Sequence, residues 1–218
     1  RCSINNENLL YKLFGVNAEL LIDHAWGWEP TTIEDVRNYK PESNSISSGQ
    51  VLHTPYDYKK TKLIVREMID NLSLDLVEKG KVTNQLVLTI NYDIENLTNP
   101  KIKYDGEITY DHYGRKIPKH SHGTINIDHR TSSTKLITHK VVELYDKIVN
   151  PILLVRRINL TACNVVSEDY KETAPSVEQL DLFTNYEVIK RQKEMNLKDE
   201  EDEKKIQKTL LDIKRKYG

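Results

Sequence analysis

Cysteine is almost missing from this sequence. Cys2 and Cys163 are the only two in 218 residues, too few for the disulfide framework that holds small secreted domains together. No apolar run approaches the roughly 18 residues that a membrane span needs. Methionine is equally sparse: Met68 and Met195 are the only two, and the first residue is Arg1. The chain is therefore expected to be a segment processed or cut from something longer, and a cytoplasmic one. A Gly-rich phosphate loop is missing as well, and catalytic constellations are scarce. Cys163 falls in a strand pattern, where a cysteine usually serves as a small core residue. The acidic pairs Glu34-Asp35 and Asp199 to Glu203 sit in polar runs that read as solvated surface. These absences point to a binding piece and away from a complete enzyme.

A large charge of either sign is also lacking. The net charge is -1, but this average hides a gradient. Residues 1–39 hold 3 Lys/Arg against 6 Asp/Glu, residues 40–166 hold 18 against 14, and residues 167–218 hold 11 against 13. A mildly basic middle between two acidic ends is weak support for an anionic partner, since solvated surfaces carry as much by chance.

The periodicity that is present divides the chain in three. From Leu9 to Trp28, Leu10, Leu13, Phe14, Leu20, Leu21 and His24-Ala25 recur at helix-like intervals, interrupted by Gly15, and Pro30 and Pro41 bracket a linker. In the middle, Ser45 to His53 has strand character. Thr54-Pro55-Tyr56-Asp57 reads as a helix start, with Thr54 as N-cap. Val65, Met68, Ile69, Leu72 and Leu76 then form one buried helical face, and Gly80 stands where a C-terminal cap belongs. Leu86, Leu88, Ile90 and Tyr92 alternate as a half-buried strand does. Residues 99–122 read as an insertion or long hairpin. A second passage has a strand at Thr124–Ile127, a helix with Ile137, Val141, Leu144, Tyr145 and Ile148, and a last strand from Leu153 to Val166.

The order is β-α-β-β-α-β, so the predicted fold is α+β: a four-stranded sheet with two helices on one face, a ferredoxin-like split pattern. It carries a short helical N-terminal segment and a helical C-terminal tail. The tail has an apolar stripe, Ile206, Leu210, Ile213 and Tyr217, expected to dock on something or fray. The expected domains are 1–39, 40–166 and 167–218. Helices on one face leave the other face of the sheet to water or to a ligand. In the last strand Arg157, Asn159 and Thr161 alternate with Ile158, Leu160 and Ala162, as that requires.

A hydroxyl-rich stretch precedes each main helix: Ser45-Ile46-Ser47-Ser48-Gly49, and Arg130-Thr131-Ser132-Ser133. Arg156 and Arg157 follow in the last strand. Short hydroxyls, backbone amides and arginines hold phosphate oxygens, although Ser and Thr also cluster as helix caps and turn residues. Asp105, Asp111, His112, His120, His122, Asp128 and His129 could suggest a metal. Their spacings match no zinc pattern, however, and solvated loop histidines are the better reading. In the tail, Gln179-Leu180-Asp181-Leu182-Phe183 places large apolar residues in an acidic linker, the usual form of a peptide anchor for a partner's pocket. The bland alternative is that Leu182 and Phe183 fold back on this domain.

That pentapeptide resembles, at all five positions, the consensus by which bacterial polymerases and repair proteins bind the sliding clamp. The rest of the chain resembles the C-terminal part of the UmuC-like (ImpB/MucB/SamB) branch of Y-family translesion DNA polymerases. Phe14-Gly15-Val16 and His24-Ala25-Trp26-Gly27 look like the end of a thumb domain, and residues 40–52 like the linker and first strand of a little finger. Leu144–Lys147 and Val155–Ile158 look like its second helix and final strand, and Leu211–Gly218 like the family's C-terminal helix.

The resemblance implies a fragment that grips primer–template DNA backbone through Ser45, Ser47, Ser48, Arg130, Thr131, Ser132, Ser133, Arg156 and Arg157. It also implies a tether to the bacterial sliding clamp through Gln179, Leu180, Asp181, Leu182 and Phe183. The family's catalytic carboxylates, which hold two Mg2+ ions, lie in a palm domain ahead of the thumb, so no catalytic residue and no cofactor are expected here. The fragment is expected to be a monomer without membrane contact, nucleoid-associated, with the cut thumb surface as a route to artificial association. The rival readings are an RRM-like RNA-binding module and a pure protein-interaction scaffold.

Overall fold

The structure is a computed structural model that describes residues 6–39, 44–111, 113–170 and 186–217. Contacts divide the chain into two units, Arg1–Ser43 and Asn44–Gly218. In the first, α1 (Glu7–Phe14) starts at Asn6, whose side chain accepts the Leu9 N–H at 3.2 Å. It stops at Gly15, whose φ of +58° suits glycine best. Helix α2 (Asn17–Ala25) follows. The stretch read as a linker contains a short helix, α3 (Ile33–Asn38), held by a reciprocal capping box between Thr32 and Asp35. Of this unit's large apolar side chains among the described residues only Leu10 is buried, while Leu13, Phe14, Leu20, Leu21, Trp26 and Trp28 are exposed.

The second unit is built as β1 (Ile46–Tyr56), α4 (Tyr58–Glu78), β2 (Lys81–Tyr92), β5 (Ser121–Thr131), α6 (Thr134–Ile148) and β6 (Val155–Cys163). Between β2 and β5 lie a one-turn helix α5 (Glu95–Thr98) and a hairpin of β3 (Ile108–Tyr110) and β4 (Lys116–Pro118). The α+β reading and its β-α-β-β-α-β order are borne out. The strands interleave as β1-β6-β2-β5, all neighbours antiparallel, and a short β7 (Val166–Ser167) pairs with β2. The two central strands are therefore β6 and β2.

Burial explains the layering. Leu86, Leu88 and Ile90 from β2 and Ile158, Leu160 and Ala162 from β6 are completely buried on one sheet face. Val65, Ile69 and Leu76 of α4 and Ile137, Val141 and Tyr145 of α6 meet them from above. Fully burying one such side chain contributes about 1.5–3 kcal/mol, so this shared seam holds the unit together. Gly123 on β5 lets α6 approach, since a Cβ there would stand 2.8 Å from Leu144 Cδ1. Buried Asn96 ties the insertion to the start of β6. Its Nδ2 donates to the carbonyls of Asp93 and Leu154 at 2.8 Å, and its Oδ1 accepts the Leu154 N–H at 2.7 Å.

Three boundaries differ from expectation. Thr54 is not the N-cap of α4. Strand β1 runs on to Tyr56, which pairs with Val155, and Asp57 caps instead by accepting the Lys60 N–H at 2.8 Å. Pro55 is tolerated because β1 is an edge strand at an irregular register. The strand expected from Leu153 to Val166 is two strands, separated at Asn164 with φ of +52°. The insertion closes earlier than expected, because His122 already belongs to β5.

The tail contains α7 (Tyr186–Tyr217), which docks through a face other than the one its periodicity advertises. Glu203 and Gln207 are only 8% and 4% exposed, whereas Ile206, Leu210, Ile213 and Tyr217 are 46% to 76% exposed. Ile206 and Leu210 border the groove between α7 and α4 without being buried in it. No described helix is long and apolar enough to cross a membrane.

Candidate functional site

Because α4 and α6 cover a single face, the other face of the four main strands lies open, and strand pairing arranges it in rows. Ser47, Thr161, Val87 and Thr124 form one row, and Gly49, Asn159, Thr89 and His122 a second. Val51, Arg157 and Asn91 form a third, and Cys163, Gln85 and Asn126 a fourth. These rows are dominated by hydroxyls and amides, and Arg157 is their charged residue.

The rows are cross-linked by side chains. Ser47 Oγ and Thr161 Oγ1 are 2.9 Å apart, Gln85 Nε2 donates to Asn126 Oδ1 at 2.9 Å, and Thr89 Oγ1 lies 2.9 Å from His122 Nδ1. Gly49 makes room for Asn159, whose Oδ1 would be 2.7 Å from a Cβ at that position. Such pairs fix rotamers before any ligand arrives. A polar, weakly charged face with one guanidinium can hold anionic oxygens through charge-assisted and short polar contacts.

The residues expected to bind backbone are distributed unevenly over the structure. Ser47 and Arg157 belong to the open face, and Arg157 has no hydrogen-bond or ion-pair partner among the described residues. Ser45 is exposed just ahead of β1. Ser48 pairs with Leu160 on the helix-covered side and is half-buried. Arg156 does not share Arg157's surroundings: its Nη1 donates to His53 O at 3.0 Å and its Nε lies 3.7 Å from Asp93. Arg130 donates to Asn164 O at 2.6 Å and lies over the Tyr170 ring.

Thr131, Ser132 and Ser133 are buried under α7. Thr131 Oγ1 donates to Glu200 at 2.6 Å, and His129 Nε2 lies 2.7 Å from the other Glu200 oxygen. Ser133 Oγ and the Lys135 N–H both donate to Glu203, at 2.6 and 3.0 Å. Gln207 Nε2 donates to Ser132 O at 3.0 Å and to Thr134 Oγ1 at 2.8 Å. Ser133 is also the N-cap of α6. Gln179, Leu180, Asp181, Leu182 and Phe183 lie outside the described residues, as does His112.

Several residues of the open face were not singled out as site residues: Gln85, Thr89, Asn91, Thr124, Asn126 and Asn159. Alternation within each strand signals them, but only the pairing shows that they share a surface. The carboxylates Glu200 and Glu203 read as solvated acids, and no local signal marked them otherwise. Among the described residues no group of three His, Cys, Asp or Glu side chains could hold a metal ion.

The sequence matches the impB/mucB/samB family C-terminal domain over residues 43–182. No curated protein gives a match. Among solved structures, a Y-family DNA polymerase chimera is 14% identical with a TM-score of 0.38, over 75% of this chain and 39% of that one. A complex of the β-clamp processivity factor and the little finger domain of PolIV gives 8% identity and a TM-score of 0.35, over 64% of this chain and 99% of that one. The chain thus spans well under two-thirds of the polymerase chimera.

The α7 contact carries a pH signature. The His129 imidazole is held above its ordinary value, first by its hydrogen bond to Glu200; burial opposes this, and attraction to Glu200 and Asp128 adds to it. For Glu200, burial pushes upward, but hydrogen bonds from His129 and Thr131 outweigh it and hold the carboxyl low. The imidazole's contribution is complete below its free value near 6.5 and disappears as pH rises through the higher docked value. The carboxylate's contribution is present above its free value near 4.3 and is lost as pH falls through the lower docked value. Lys135, His139, Asp199 and Glu203 line the same pocket. Hydrogen-exchange protection factors of α7 should peak between about pH 4.5 and 6.5. A steady rise from pH 5 to pH 8.5 would contradict this assignment.

Proposed function

The chain belongs to the impB/mucB/samB family, and from that premise we propose that it is the DNA-gripping and clamp-tethering part of a lesion-bypass polymerase. The observation that carries the proposal is the open sheet face with Arg157 among rows of hydroxyls and amides, opposite the helix-covered core. The function is positional. The sheet lies against the duplex, Arg157 neutralises a phosphate, and Ser47, Thr89, Asn159 and Thr161 supply short polar contacts that fix register without reading bases. Template-directed nucleotide addition belongs to the polymerase of which this is a part.

Base stacking of the RRM kind needs aromatics on the open face. Tyr92, the strand aromatic best placed in sequence for that role, is 4% exposed among the core residues. This favours a backbone grip over single-stranded RNA readout.

Neutralising phosphates releases counterions, so affinity for a primer–template duplex should fall steeply between about 50 and 200 mM salt. Arg157→Ala should weaken binding similarly for every duplex sequence and lower the log–log salt slope by about 1. Affinity that is flat with salt, or unchanged by the substitution, would leave a protein-interaction scaffold as the better reading.

The second half of the proposal assigns Gln179–Phe183 to the sliding clamp, with Leu182 and Phe183 as the apolar anchors. The matched PolIV little finger was solved with its β-clamp. Binding of this chain to a bacterial clamp should be in the micromolar range, about -8 kcal/mol. Leu182→Ala/Phe183→Ala should abolish it while leaving DNA affinity intact. Equal clamp binding by both forms would show that the pentapeptide is coincidental.

A further inference from the structure

Helix α7 presents an acidic run, Asp199-Glu200-Glu201-Asp202-Glu203, to the segment that leads from β5 into α6. Four donors converge there on two of its carboxylates: the His129 ring, the Thr131 and Ser133 hydroxyls and the Lys135 backbone N–H. Hydroxyls, an imidazole N–H and an amide at a helix start also hold phosphate oxygens. Carboxylate and phosphate make the same demand on these groups, and both cannot be served together.

The contact is also built to open. A helix that docks permanently turns its apolar stripe inward. Here Glu203 and Gln207 are inside, and Ile206, Leu210, Ile213 and Tyr217 keep much of their surface in water. Gln207 adds hydrogen bonds to Ser132 O and Thr134 Oγ1, and ion pairs join Lys204 to Glu168 and, further along the helix, Arg215 to Glu78 at 2.9 Å. Hydrogen bonds that exchange with water give small net stability each, and surface ion pairs give less. The buried α7 side chains among the described residues are polar, Glu203 and Gln207, so release exposes groups that water can satisfy.

We propose that α7 is an internal, displaceable mimic of the DNA backbone: docked, its acidic run occupies the donors of residues 129–135, and it must leave before a phosphate takes them. The inference rests on the DNA-binding reading above and adds to it an autoinhibitory state of the same chain. In the docked state only the open sheet face is available. Release of α7 extends the footprint onto the start of α6.

The test uses the full chain and two charge-matched double variants. Glu200→Gln/Glu203→Gln weakens the docked contact. Glu201→Gln/Asp202→Asn removes the same charge from exposed positions of the same helix. The first should tighten duplex binding about tenfold, as expected when the competent fraction rises from about one-tenth toward one. The second should change it by less than about twofold. Hydrogen exchange supplies an independent readout: in the unsubstituted chain, saturating duplex should abolish the protection of α7 amides around residues 200–210. Equal tightening by both variants would reduce the effect to net charge and overturn the proposal. So would α7 protection that persists under saturating duplex. If no form binds duplex, the DNA reading fails first, and the outcome is distinguishable because the unsubstituted chain already lacks binding.

Discussion

Everything about this unit depends on β6 being hydrogen-bonded on both sides while its side chains serve two opposite environments. Ile158, Leu160 and Ala162 disappear beneath α4 and α6, and Arg157, Asn159 and Thr161 alternate with them on the uncovered side. A one-residue slip in its pairing with β1 or β2 would exchange the two sets. The apolar seam therefore does more than stabilise the fold. It locks the register that lines up Ser47 with Thr161, Gly49 with Asn159 and Thr89 with both Asn159 and His122. The core specifies the surface.

Much of this was legible from periodicity. Val65, Met68, Ile69, Leu72 and Leu76 announced the inner face of α4, and the alternation from Leu86 to Tyr92 announced β2, because burial on one side imposes those periods. The family resemblance carried by residues 40–52, 144–147 and 155–158 falls, apart from residues 40–42, within the matched region 43–182. Strand order was not legible, since the β-α-β-β-α-β sequence of elements leaves open which strands lie inside. The start of α4 was misplaced because Thr54-Pro55 satisfies the local rules for a helix start. Pairing of Tyr56 with Val155 overrides them.

The candidate site was legible in its polarity but less so in its membership. Ser47 and Arg157 belong to the open face, yet Thr131, Ser132 and Ser133, which look equally suited in sequence, are taken up by α7. The reason is a docking mode that runs against the helix's own amphipathicity. The stripe from Ile206 to Tyr217 is expected to dock or fray, and Ile206 and Leu210 do border a groove beside α4, but the buried positions go to Glu203 and Gln207. The acidic tail and the mildly basic middle, which nearly cancel in the net charge, thus meet at one contact.

The most direct test of the central claim is to map backbone amide shifts of the full chain during titration with a primer–template duplex. The account predicts that the largest changes fall on Ser47, Gly49, Thr89, Asn91, Thr124, Arg157, Asn159 and Thr161, the one polar face of the sheet. Changes confined to the solvent-facing sides of α4 and α6, with the open face silent, would contradict it.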